Sequence, residues 1–156
     1  MRTHFLICAL CLALAPACAR MDKRAFADVD RAGRAIVEAL DGKVALPQYR
    51  ELVTAFSKEV ASAKARTRSS NERALMGDYE AAETGLGDML AVWERRDEHD
   101  AELLPVADAL PGRLAKQYDL PVNTNEPPSI YASEALRAIW KATKVTLNRA
   151  SHTLNP

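Results

Sequence analysis

The chain has 156 residues, with 21 basic and 21 acidic side chains, 48% hydrophobic residues and three cysteines. The balanced charge gives no overall case for binding nucleic acid or an anionic membrane, and the length suits a single domain with one core. All the cysteines (Cys8, Cys11 and Cys18) lie at the start, so no disulfide framework can form beyond residue 18.

The first segment reads as an address. Arg2 precedes an apolar run from Phe5 to Leu14, and the small-residue stretch Ala15-Pro16-Ala17-Cys18-Ala19 follows. A positive start, a short apolar core and small residues at a cut site are the parts of a secretory signal peptide. A membrane-spanning helix needs about 20 apolar residues, and this run has about half that. We therefore expect residues 1–19 to be a signal peptide cleaved at or near Cys18, and residues 20–156 to be the folded domain. Ala15-Pro16-Ala17 and Ala17-Cys18-Ala19 both fit release as a soluble protein. Leu14-Ala15-Pro16-Ala17-Cys18 instead looks like a bacterial lipobox, in which Cys18 is lipidated, although Pro16 departs from that pattern. Either route places the protein in the bacterial cell envelope, periplasmic or lipid-anchored, with lipidated Cys18 as the expected membrane contact. Cys8-x-x-Cys11 lies inside the apolar run and reads as signal core, not as half of a redox or zinc site.

Beyond that segment the apolar residues keep helical spacing. Phe26, Val29, Ile36, Val37 and Leu40 predict a first helix over 24–41, stopped by Asp41-Gly42, and the Ala32-Gly33 pair suits close approach of another helix. Pro47 suits a first helical turn, where its missing N–H is not needed. Tyr49, Leu52, Val53, Phe56 and Val60 carry a second helix over 47–66. From Val60 to Leu75 no large apolar residue occurs, which fits either a turn or one continuous helix. Ser69 followed by Glu72 is a capping-box pattern and favours a hairpin turning near 67–70. A third helix over 70–100 then buries Leu75, Tyr79, Ala82, Leu86, Met89, Leu90 and Trp93. The glycines at 77, 85 and 87 lower its intrinsic stability and suggest a kink near Gly85.

Pro105, Pro111, Pro121, Pro127 and Pro128 exclude a long helix from 103 to 128, yet Val106, Leu110, Leu114, Tyr118 and Leu120 are too apolar for a free linker. A short helix at 112–118 within a crossing segment is expected. Ser129 would cap a last helix over 130–151, whose buried stripe is Ala132, Leu136, Ile139, Trp140, Thr143, Leu147 and Ala150. No alternating strand pattern is present. The expected fold class is all-α: an antiparallel helical bundle of about four helices with a Pro-rich crossing segment.

Chemistry is harder to place. Glu94, Asp97, Glu98, His99, Asp100 and Glu102 form the densest polar cluster, and Glu98, His99 and Glu102 are the candidate metal ligands. The Glu-x-x-His spacing of dimetal bundles is not met, because Arg96 and Arg149 precede His99 and His152 by three. A C-x-x-C-H haem motif, a G-x-S-x-G nucleophile motif and a Gly-rich phosphate loop after a strand are all missing. No catalytic or cofactor-binding residue and no cofactor is assigned. Lys58, Lys64, Arg66, Arg68 and Arg73 form one basic stripe, and Arg137, Lys141, Lys144 and Arg149 another, either of which suits an anionic envelope component or plain solvent. Trp93 and Trp140 are expected to pair between the third and last helices. The sequence thus points to an exported helical protein, a non-enzymatic interaction or structural module of the envelope, with an envelope protein or anionic component as partner and no nucleic acid. The alternative is a helical bundle that binds a metal or small ligand.

Overall fold

A computed structural model describes residues 21–156, so the expected signal peptide and Cys18 lie outside the described residues. The fold is mostly helical. A 3-10 turn at Lys23–Phe26 leads into α1 (Ala27–Asp41), followed by α2 (Leu46–Arg66), α3 (Ser70–His99), α4 (Ala109–Gln117) and α5 (Ala132–Leu154). The hairpin expected near 67–70 is present, and it is held by the predicted capping box. Ser69 Oγ accepts from the Glu72 backbone N–H at 3.2 Å, and Glu72 Oε2 accepts from the Ser69 N–H at 2.9 Å.

Ion pairs between helices give the direction of each packing. Arg50 meets Glu94 and Lys64 meets Glu80, so α2 runs antiparallel to α3. Arg149 on Asp78 with Thr143 against Gly85, and Lys144 on Asp41 with Leu147 against Gly33, place α5 antiparallel to α3 and to α1. Exposed pairs of this kind contribute at most about 1 kcal/mol each, so they mark register more than they stabilise. Stability comes from the apolar seam, where Phe26, Ile36, Tyr49, Phe56, Leu86 and Ile139 are all fully buried. Each such side chain contributes about 1.5–3 kcal/mol on leaving water.

Two glycines let the helices close up. A Cβ on Gly33 would sit 3.1 Å from Leu147 Cδ2 and 3.4 Å from Phe56 Cε2, so the expected close approach is real and involves both α5 and α2. On Gly85 a Cβ would lie 2.2 Å from Thr143 Oγ1. Gly85 therefore serves the α3–α5 contact, and α3 is one unbroken helix of 30 residues.

The crossing segment departs from expectation. Among the described residues there are five α-helices against an expected bundle of about four, and the short helix expected at 112–118 is formed as α4, nine residues long and starting three residues earlier. Two short strands are also formed, β1 (Leu103–Pro105) and β2 (Ser129–Tyr131), paired antiparallel with Leu104 opposite Ile130. Three-residue strands are too short to show alternation in sequence. Pairing with β1 holds Ser129 extended, so it does not cap the last helix, which starts at Ala132. The β1 side supplies the cap instead. Ala132 N–H donates to the Glu102 carbonyl and Ser133 N–H to the Glu102 carboxylate, both at 2.8 Å.

Two ion pairs clamp α4 to α3. Arg95 bonds Asp108, which explains why Asp108 does not use its side chain to cap α4. Arg113 forks onto the buried Asp88 with contacts of 2.5 and 3.0 Å, and Tyr118 Oη donates to the same carboxylate at 3.3 Å. Removing the acceptor from such a set costs about 2–3 kcal/mol. Asp88→Ala is accordingly expected to speed hydrogen exchange in α4 while leaving α2 amides protected. Unchanged α4 protection would show that apolar contacts alone hold it.

Trp93 and Trp140 do not pair. The Trp93 ring packs on Tyr49 of α2, 5.6 Å between centroids, while Lys144 lies over Trp140. The face of α3 that carries Trp93 is turned toward α2, and α5 lies against the Gly85 face.

Candidate functional site

The acidic end of α3 does not gather around a common point. Glu94 is engaged by Arg50, with contacts of 2.7 and 2.9 Å, and Glu98 and His99 are exposed in the last turn. Glu102 points to the start of α5, where hydrogen bonding from Ser133 holds its carboxyl below the usual range. Among the described residues, no three His, Cys, Asp or Glu side chains lie close enough to hold a metal ion.

Basic residues are largely in use as well. At the hairpin, Arg66 donates to the Ser62 carbonyl, Arg68 to those of Ala65 and Thr67, and Arg73 to that of Arg68. The Ser62 and Ala65 carbonyls lie in the last turns of α2 and that of Thr67 just past its end, where positive charge is favoured. In α5 the expected stripe is split, since Lys144 and Arg149 are paired with acids of α1 and α3.

A cleft between α1 and α5, floored by α3, is where unused chemistry collects. It has a volume of ≈ 230 Å³ and is lined by Asp30, Gly33, Arg34, Val37 and Glu38 of α1, Tyr79 of α3, and Leu147, Asn148 and Ser151 of α5. Tyr79 reaches its floor because it belongs to the buried stripe of α3, wedged between the rings of Phe26 and Phe56 at 6.2 and 6.4 Å. Asp30 enters from α1 and is 3% exposed. Arg34 Nη2 at 3.0 Å and Asn155 Nδ2 at 3.3 Å both contact its Oδ2.

Tyr49 and Tyr79 make an instructive comparison. Both are buried, and burial raises the pKa of each phenol, with the Asp30 charge adding to the effect at Tyr79. Each hydroxyl therefore stays protonated across the physiological range. Tyr49 donates to the Leu86 carbonyl at 3.0 Å, whereas Tyr79 Oη has no hydrogen-bond partner among the described residues. Asp30 raises the Tyr79 phenol pKa through both its charge and side-chain hydrogen bonding, although their contact falls short of full hydrogen-bond geometry. A larger depression of ≈ 790 Å³ beside α4 holds no unpartnered buried side-chain group among the described residues.

Sequence reasoning placed Tyr79 in the core and passed over Asp30. The available signal was an acid on an apolar helical face, since Phe26, Asp30, Gly33 and Val37 follow one another at steps of three and four. The same signal marks Glu72 and Asp88, the other buried acids. Comparisons with protein-family models, with curated proteins and with solved structures find no match for the chain.

Proposed function

We propose that this chain is an exported protein of the bacterial cell envelope that works by binding. In this reading its folded part is an antiparallel bundle of four long helices, with α4 and the strand pair as the elaborated Pro-rich crossing, and a small ligand occupies the α1–α5 cleft. The observation that carries the proposal is the cleft itself, whose wall of Gly33, Val37, Leu147 and Tyr79 lies beside the ion pair of Asp30 and Arg34. Such convergence of apolar wall and a few polar groups is how small-molecule sites are built. Export rests on residues 1–19, with Cys18 either lipidated as the first mature residue or left in a soluble form.

A second reading, contact with an envelope protein, has its own support. Leu103 and Tyr131 face each other across the strand pair and are 45% and 39% exposed, an apolar pair at the surface. Producing the full chain in a bacterial host, then fractionating it and weighing it under native conditions, tests these readings together. The expected result is an envelope fraction lacking residues 1–17 or 1–19, with a non-covalent small mass released on denaturation. A stoichiometric protein partner without that small mass would favour the second reading. Full-length chain recovered from the cytosol would overturn export.

A further inference from the structure

We propose that one end of the bundle, formed by the chain's entry into α1 and by the α2–α3 hairpin, rests on the headgroups of an anionic phospholipid surface. That such a surface is at hand rests on the envelope reading above. The charged end itself is a matter of packing.

Antiparallel packing gathers the start of α1, the end of α2, the start of α3 and the end of α5 at this end. Glu72 ties them directly, since its carboxylate accepts the Asp22 N–H at 2.9 Å together with the Arg68 and Ser69 N–H groups of the hairpin at 2.8 and 2.9 Å. Two basic groups far apart in sequence therefore share one surface. Lys23 and Arg24 come from the entry turn and Arg66, Arg68 and Arg73 from the hairpin, and all five are exposed. None of the five forms a salt bridge among the described residues. The hairpin arginines donate to backbone carbonyls and to the Ser62 hydroxyl, which leaves their charge uncancelled. Asp22 and Glu72 are the acids beside them, and Glu72 is turned inward, 5% exposed. Asp28 and Asp78, farther along α1 and α3, are already paired with Arg31 and Arg149.

The opposite end carries Asp97, Glu98, Asp100 and Glu102, all exposed. An anionic surface thus attracts one end of the bundle and repels the other. What selects a lipid surface over an acidic protein is where the chain leaves the fold. The link from Cys18 to Asp22 spans at most about 14 Å when fully extended, and it contains a further cation, Arg20. A lipidated Cys18 would hold this end, and no other, against the membrane.

The test uses the full chain carrying Cys18→Ala, so that no acyl chain contributes, and vesicles of phosphatidylcholine alone or mixed equally with phosphatidylglycerol. Binding is expected to the mixed vesicles, to be far weaker to phosphatidylcholine, and to fade as salt is raised. A basic residue near such a surface is worth about fivefold in binding. Lys23→Gln with Arg24→Gln, and separately Arg66→Gln with Arg68→Gln, should each weaken it by about tenfold or more, while Arg137→Gln with Lys141→Gln on α5 should change it little. A fluorophore on Ser70→Cys should report a drier environment on the mixed vesicles, and one on Glu98→Cys should not. Equal binding to both kinds of vesicle, binding to neither, or binding that survives both double substitutions overturns the assignment, as does capture of an acidic protein without vesicle binding. The mass of the unaltered chain in the envelope fraction reads lipidation separately. Vesicle binding without lipidated Cys18 supports the surface and removes only the anchor, whereas lipidated Cys18 without vesicle binding overturns the surface and leaves export standing.

Discussion

Replacing Glu72 by Gln lowers stability at pH 7 by about 3 kcal/mol and removes much of the protein's sensitivity to acid between about pH 4.5 and 2. The reason is the unusual number of donors trained on this one carboxylate. It accepts backbone N–H groups from Asp22 at 2.9 Å, Arg68 at 2.8 Å and Ser69 at 2.9 Å, while 5% exposed to solvent. The Asp22 bond, followed by those from Ser69 and Arg68, holds the carboxyl down at about 2, against an ordinary value of 4.5. Hydrogen bonds to the charged form have this effect. At about 1.4 kcal/mol for each pH unit, the difference is worth about 3 kcal/mol to the folded state.

The sign follows from the direction. Because the folded pKa is depressed, the contribution is fully present above the unfolded value near 4.5. It is lost as the pH falls toward the folded value of about 2. Gln offers one acceptor oxygen where three donors converge, and it turns an N–H₂ group toward at least one of them. Urea titrations of both proteins at pH 7, 4.5, 3 and 2 are the measurement. The two curves should differ most at pH 7 and converge near pH 2. A constant difference at every pH would mean that the charge of Glu72 plays no part. Because Asp22 and Glu72 are 50 positions apart, the same substitution should also loosen the chain that leads into α1.

Gly85→Ala destabilises the protein by about 2 kcal/mol, although Ala is the better helix former by about 1 kcal/mol. The added Cβ would lie 2.2 Å from Thr143 Oγ1 and 3.3 Å from Thr143 Cβ, and Thr143 is 3% exposed with little room to retreat. Gly77 and Gly87, on the same helix, have nothing within 4 Å of such a Cβ. There the propensity gain is unopposed, and Gly77→Ala and Gly87→Ala should each stabilise by up to about 1 kcal/mol. Thr143→Ala removes the nearest atom and should recover about half of the Gly85→Ala loss, a coupling that a double-mutant cycle reads directly. If all three alanine variants were stabilised alike, the close approach of α3 and α5 would be wrong.

What could be read along the chain was whatever depends on neighbours in sequence. The stripes Tyr49, Leu52, Val53, Phe56 and Val60, and Leu75, Tyr79, Ala82, Leu86, Met89, Leu90 and Trp93, predicted buried faces, and all are buried except Leu52, Leu90 and Trp93, which are partly buried against the core. Helical periodicity forces that outcome, since residues three and four apart share a face and an apolar face must leave water. The hairpin near Ser69 was legible for the same reason, because a capping box is complete within four residues.

Tertiary structure alone decided the rest. Ser129 carried a good local reason to cap a helix, but pairing of Ser129–Tyr131 with Leu103–Pro105 overrode it, and Glu102 took over the cap from the neighbouring strand. Trp93 and Trp140 are parted because the rotation of α3 is set by where Gly85 admits α5, a matter of contact between residues 58 positions apart. The candidate site is of this second kind. Asp30, Tyr79 and Ser151 carry no common motif, and they meet because α5 packs antiparallel to both α1 and α3, each of the three helices bringing one residue to the cleft. Local preference along a chain is additive and readable, whereas a cleft is a property of surfaces that face one another only once the helices have packed.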